Sequence, residues 1–89
     1  MISVKLLYFA SARDAAHGLS SETIELEQQA PATLQSAVNI IRQRHPNMEA
    51  VLKTALLSLN QEYCEAENTQ DILLRDGDEV AVIPPVSGG

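Results

Sequence analysis

The chain has 89 residues, 45% of them hydrophobic and 20% charged, which makes one small domain with a single core. Twelve Asp and Glu against six Lys and Arg leave a net charge of −6, which excludes the phosphate backbone of a nucleic acid as a ligand and favours a partner with a basic docking surface. No apolar run is long enough to span a bilayer, no signal peptide precedes the first apolar segment, and one Cys with two isolated His forms neither a disulfide nor a metal motif. The expectation is a cytosolic protein without membrane attachment or bound metal.

Residues 2–10 carry Val4, Leu6 and Tyr8 on one face and Leu7 and Phe9 on the other. Apolar residues on both faces predict an inner strand covered on both sides. Residues 11–21 are polar, include Gly18 and read as a loop; His17 falls there with no pattern around it. Residues 22–27 alternate, with Thr23, Glu25 and Glu27 opposite Ile24 and Leu26, and predict a half-exposed strand hairpinned to the first. Thr33 is a good N-cap, after which Leu34, Ala37, Val38 and Ile41 recur at helical spacing. Arg42 and Arg44 fill the last turn, as the helix dipole favours, His45 suits the same end, and Pro46 stops the helix.

Residues 48–56 are mixed and predict a short helix or turn. Residues 57–60 and 63–65 read as short strands around a turn, with Cys64 a half-buried strand residue rather than a nucleophile. Ile72, Leu73 and Leu74 form another short apolar piece. Asp76-Gly77-Asp78 predicts a tight turn in which Gly77 takes positive φ. The carboxylates of Asp76, Asp78 and Glu79 read as the solvated charges of that turn, not as catalytic groups. Residues 79–83 are the last strand. This order predicts an α+β fold of β-grasp, ubiquitin-like type: a mixed sheet wrapped on one main helix, its first and last strands adjacent and parallel in the middle.

Beyond Ile83 the chain reads Pro84-Pro85-Val86-Ser87-Gly88-Gly89. Two prolines bias it to extended geometry, and two glycines leave its tip without side chains. Fully extended, these six residues reach about 20 Å at roughly 3.3 Å per residue. A narrow channel in a second protein could hold such a tip. The expected organisation is a domain over residues 1–83 and an extended tail over residues 84–89.

The block Asp76-Gly77-Asp78-Glu79-Val80-Ala81-Val82-Ile83-Pro84-Pro85-Val86-Ser87-Gly88-Gly89 closely resembles the C-terminus of the small, sulfur-carrying subunits of molybdopterin synthase. The segment Leu6-Leu7-Tyr8-Phe9-Ala10-Ser11-Ala12-Arg13-Asp14 resembles the first strand and following loop of the same family, and the Thr33 helix and the Asn60-Gln61-Glu62 turn fit it. Sulfur carriers for thiamine synthesis and for tRNA thiolation share the fold and the Gly-Gly end. The Pro-Pro-Val-Ser-Gly-Gly ending favours the molybdopterin branch. A ubiquitin-like protein modifier and a plain interaction domain are the readings from other classes.

The resemblance implies that an E1-like activating enzyme uses ATP to adenylate the carboxylate of Gly89. Sulfur then replaces the adenylate to give a thiocarboxylate, which the large synthase subunit receives and delivers to cyclic pyranopterin monophosphate. Two transfers build the dithiolene. The implied assembly is a heterotetramer with two large subunits at its centre, and no cofactor stays bound to the small one. Gly89 is the implied reacting residue and Gly88 the residue that gives the tail access. Implied partner contacts are Phe9, Tyr63 and Ile83 on the sheet face away from the helix, followed by Pro84, Pro85, Val86 and Ser87 along the tail. Alternation supports that face: Leu6, Tyr8, Val80 and Val82 point to the helix, Phe9 and Ile83 away from it. No general base, metal or oxyanion hole is visible, so the catalytic side chains are expected on the partners.

Overall fold

Strand alternation sets the layout. In β1 (Ile2–Tyr8), Ile2, Val4, Leu6 and Tyr8 are buried while Lys5 is exposed and Ser3 and Leu7 are half-buried. The computed structural model describes residues 1–27, 32–64 and 68–85. Among these, β1 is followed by α1 (Ser11–Ala15), β2 (Ser21–Leu26), α2 (Leu34–Arg44), α3 (Met48–Leu52), β3 (Leu56–Leu59), β4 (Glu62–Cys64) and β5 (Glu79–Ile83). The sheet order is β2-β1-β5-β3-β4, with β1 and β5 parallel and every other neighbouring pair antiparallel. One main helix lies across one face. This is the expected β-grasp arrangement, with the first and last strands adjacent inside the sheet.

Helix α2 forms where the sequence predicts it. Thr33 Oγ1 accepts the Ser36 N–H at 3.2 Å, and Ser36 Oγ accepts the Thr33 N–H at 3.2 Å, a reciprocal capping box. Two further free N–H groups of the first turn, those of Leu34 and Gln35, donate to the carbonyls of Ile72 and Thr69. The segment before β5 thus serves as the seat of the helix. Leu34, Ala37, Val38 and Ile41 are buried and join Val4, Leu6, Ile24, Val80 and Val82 in one core. Short helix α3 adds Met48, which is fully buried.

Two expectations need correction. Residues 11–21 are not a plain loop, because α1 occupies Ser11–Ala15. Its apolar residues, Ala12, Ala15 and Ala16, do follow helical spacing and are buried, but their small side chains make the stripe faint. Nor is β1 covered on both faces. The helices lie on one face only, and Leu7 and Phe9 belong to the other, where Phe9 is 44% exposed. Elsewhere the strand bounds shift by one or two residues: β1 ends at Tyr8, β2 runs Ser21–Leu26, β3 starts at Leu56 and β4 at Glu62. Residue Glu65, placed in the fourth strand by pattern, lies outside the described residues.

The turn before β5 is built as Asp76-Gly77-Asp78 suggests. Gly77 has φ +87° and donates its N–H to the Ser3 carbonyl at 2.8 Å. The carboxylates do more than meet solvent. Asp76 Oδ1 accepts the Ser3 N–H at 2.7 Å, and Asp78 Oδ2 accepts the Arg75 N–H at 2.7 Å.

A polar cluster fastens the end of α2 to the sheet. Glu22 pairs with Leu6 across β2 and β1, so it sits on the helix face. Its Oε2 accepts the Tyr8 hydroxyl at 2.7 Å and meets His45 Nε2 at 2.5 Å, while its Oε1 accepts Arg44 Nη1 at 2.6 Å. His45 is buried, its ring edge-on to Tyr8, and its Nε2–H tautomer fits the contact with the carboxylate. His45 is therefore more than a dipole-matched helix end: it is a link between helix and sheet. Burial works to raise the Glu22 carboxyl, but hydrogen bonds from Tyr8, His45 and Arg44 outweigh it and hold the group below the usual carboxylate range. Burial first, and then the Glu22 carboxylate, push the Tyr8 phenol well above its ordinary value.

A group with a lowered folded-state pKa stabilises the fold fully above the ordinary carboxylate range. That contribution is lost as pH falls through the lowered value. Glu22→Gln is expected to lower stability at neutral pH by about 1–3 kcal/mol, as for hydrogen bonds to a charged group. The gap between variant and parent should close as the medium is acidified below the carboxylate range, measured by urea unfolding at a series of pH values. A gap that stays constant into acid would show that the carboxylate charge is not what holds the helix end.

Candidate docking groove and tail

Cross-strand register builds the open face row by row. Ser21, Leu7, Ala81, Ser58 and Tyr63 are successive partners across β2, β1, β5, β3 and β4, so they share one face. Ile83 pairs with Leu56 on the same face, one row nearer the end of β5. Tyr8, Val82, Leu57 and Cys64 form the corresponding row on the helix side. Cys64 is half-buried there.

A groove of about 280 Å³ runs over this open face. Its floor is Ala81 and Ser58, whose small side chains are covered by their taller neighbours. Leu7, Phe9, Tyr63 and Ile83 form the walls, and Gln61 and Glu79 the polar rim. Tyr63 is 71% exposed and Leu56, beyond the wall, 53%. The face is apolar toward the end of β5 and polar at the other end, where Lys5 and Glu79 are cross-strand partners and Thr23 lies beside Lys5. Contiguous exposed aromatic and aliphatic side chains of this kind make the face a candidate interaction surface.

Two turns with unusual backbones hold the walls. Ala10 has φ 50° and ψ −124°, the first central position of a type II′ turn, and Ala12 donates its N–H to the Phe9 carbonyl at 2.9 Å. Glycine normally fills that position. On the other side, Asn60 and Gln61 join β3 to β4 with φ 51° and 72°.

The structure therefore brings Phe9, Tyr63 and Ile83 into one groove, as alternation suggests. Pro84 is buried within the domain and Pro85 is exposed. Val86, Ser87, Gly88 and Gly89 lie outside the described residues. The sequence reading did not single out Leu56, Ser58, Gln61 or Ala81. Ala81 stands two residues before Ile83, and Leu7 two before Phe9, so alternation carried the signal for those two. Ser58 is placed only by its pairing with Tyr63. Among the described residues, no group of three or more His, Cys, Asp or Glu is placed to hold a metal ion, and no helix is long and apolar enough to cross a membrane.

Comparison with known proteins adds four findings. The model of the ThiS family matches residues 6–89. A molybdopterin synthase sulfur carrier subunit from Chlamydomonas reinhardtii is 41% identical over 88 residues, covering 99% of this chain and 100% of that protein. Among solved structures, a putative molybdopterin converting factor, subunit 1, from Pyrococcus furiosus superposes with a TM-score of 0.78 at 30% identity, covering 97% of this chain and 100% of that one. A chain in a complex of subunits 1 and 2 of molybdopterin-converting factor from Helicobacter pylori shares the fold, with a TM-score of 0.68 at 23% identity over 99% of this chain and 100% of that one.

The two sheet faces have opposite roles in the free domain. Val82→Ala is expected to lower unfolding free energy by roughly 1–3 kcal/mol, because it opens a cavity under α2. Phe9→Ala should change it by less than about 1 kcal/mol, as for most substitutions of exposed residues. Denaturant unfolding of both variants checks this, and a reversed order would mean that the groove face is the core.

Proposed function

The chain belongs to the ThiS family, and from its likeness to molybdopterin synthase sulfur carrier subunits we propose that it is the sulfur carrier of a molybdopterin synthase. In this reading it is the smaller part of a two-protein enzyme and supplies its own C-terminus as a cosubstrate. An E1-like enzyme spends ATP to convert the Gly89 carboxylate into an acyl-adenylate with release of pyrophosphate. A sulfur donor then displaces AMP and leaves a thiocarboxylate. The large synthase subunit takes the tail into its active site, sulfur passes to cyclic pyranopterin monophosphate, and the carrier returns as a carboxylate. A cytosolic setting goes with these soluble partners.

The observation that carries the reading is where the apolar groove lies. Ile83 is both a groove wall and the last residue of β5, so the tail leaves the domain at the edge of the groove. A protein seated on Phe9, Tyr63 and Ile83 meets the tail within a few residues. Docking and delivery become one geometric event. The rest of the proposed path needs little from this chain: Gly88 lets the tail bend and enter a narrow channel, and Gly89 offers its carbonyl carbon from several directions. Acid, base and phosphate chemistry fall to the partners. The Helicobacter pylori fold neighbour is itself one chain of a complex of two subunits, which goes with a two-protein enzyme.

The decisive test is intact mass after incubation with an activating enzyme, ATP and a sulfur donor. Replacement of one oxygen by one sulfur is expected. Deletion of Gly89 should abolish that change and all pterin conversion while leaving thermal unfolding unaltered, since glycine has no side chain to pack. Gly88→Val should keep association with the large subunit and lose most conversion. Full conversion by the Gly89 deletion would overturn the carrier reading. Isopeptide adducts on lysines, in place of a thiocarboxylate, would move the chain among protein modifiers.

A further inference from the structure

The β3–β4 hairpin is closed by two residues, since Leu59 pairs directly with Glu62. Both central residues, Asn60 and Gln61, have positive φ, the pattern of a type I′ turn. Asn60 suits its position. Its Oδ1 accepts the Glu79 N–H at 3.0 Å, its Nδ2 donates to Asp78 Oδ1 at 3.0 Å, and its own N–H donates to the Glu79 carbonyl at 2.8 Å. Gln61 does not. Its position is the one that glycine fills in such turns, and a long side chain there strains the backbone.

Nothing among the described residues explains that strain. Among the described residues, the Gln61 side chain makes no hydrogen bond, and the residue is exposed on the groove rim beside Glu79 and Tyr63. The Asn60 clasp ties the hairpin to the backbone of Glu79, so the turn that carries Gln61 and the strand that carries Glu79 keep a fixed spacing. Glu79 has Lys5 as its cross-strand neighbour, yet the two form no ion pair among the described residues. The rim therefore offers two oxygen acceptors beside an apolar floor, in a chain whose net charge is −6.

We infer that Gln61 is a specificity-determining contact: with Glu79 it receives a basic side chain of the large subunit, set at the edge of the apolar segment that fills the groove. This rests on the function proposed above. An incoming arginine or lysine meets acceptors whose backbones are already fixed, so only the side chains are ordered on binding. Strain in the free domain is retained because the glycine that would relieve it offers no acceptor.

The test measures two quantities for each variant: the Tm of the free chain and its affinity for the purified large subunit. Gln61→Gly should raise the Tm by a few degrees, since it relieves a positive-φ residue, and should weaken association about fivefold or more. Asn tolerates positive φ and keeps the carboxamide, so Gln61→Asn should stay within about twofold of the parent. Glu79→Gln should slow association at low salt, with the difference closing as salt is added. If Gln61→Gly binds as tightly as the parent, or is less stable than it, the inference falls and the carrier reading stands. If the parent chain itself does not associate with the large subunit while binding is assayed under the same conditions, both fall.

Discussion

Lys5, Leu6, Leu7 and Tyr8 lie beside Glu79, Val80, Ala81 and Val82 in parallel register, and this pairing fixes both faces of the sheet at once. Leu6, Val80, Tyr8 and Val82 go under the helix. Leu7 and Ala81 go to the open side and found the groove. A shift of one residue in that register would exchange the faces, exposing the core row and burying the rim charges. The turn at residues 76–78 guards against it. Asp76 and Gly77 exchange hydrogen bonds with Ser3, and Lys5 donates its N–H to the Asp78 carbonyl at 2.9 Å, so β5 enters the sheet already aligned with β1.

Around this axis the domain divides its polar and apolar groups by task. On the helix side, a cluster of polar and charged groups converges on one carboxylate: Glu22 takes Tyr8, Arg44 and His45. On the open side the polar groups of the rim are not consumed internally. The same end of β1 thus leads from Tyr8, in a bond that secures the fold, to Phe9, on the exposed groove. A fold of this size has too little chain to cover both faces, and the uncovered one is where association is cheapest to build.

Most of the architecture was legible because it rests on local periodicity. The Leu34, Ala37, Val38, Ile41 stripe gave α2, Thr33 its start, and the Asp76-Gly77-Asp78 turn the beginning of β5. What escaped had identifiable causes. Helix α1 is marked only by Ala12, Ala15 and Ala16, whose small side chains give a weak apolar stripe. The groove floor, Ala81 and Ser58, is made of residues chosen for what they lack, and such residues carry no sign of their own. Glu22 shares the face of Ile24 and Leu26, so alternation alone flags a charge on a buried face. Its partners lie 14, 22 and 23 residues away, and local pattern says nothing about which residues will meet it. The reading of β1 as covered on both sides failed for a related reason. An apolar residue signals that it will be covered, but not whether its own chain or another does the covering.

The sheet order has a consequence for synthesis. Strand β5 sits between β1 and β3 and is the only link between two hairpins, β1–β2 on one side and β3–β4 on the other. A nascent chain that has not reached Glu79 holds two separate hairpins, each marginal on its own in water. The Ser3–Asp76 contact, spanning 73 positions, cannot form earlier. A folded domain is therefore a chain that has been translated through Ile83, to the threshold of its tail. Fragments released before β5 is complete lack the strand that joins the two hairpins and fail to fold, and the cell's ordinary disposal of unfolded protein removes them.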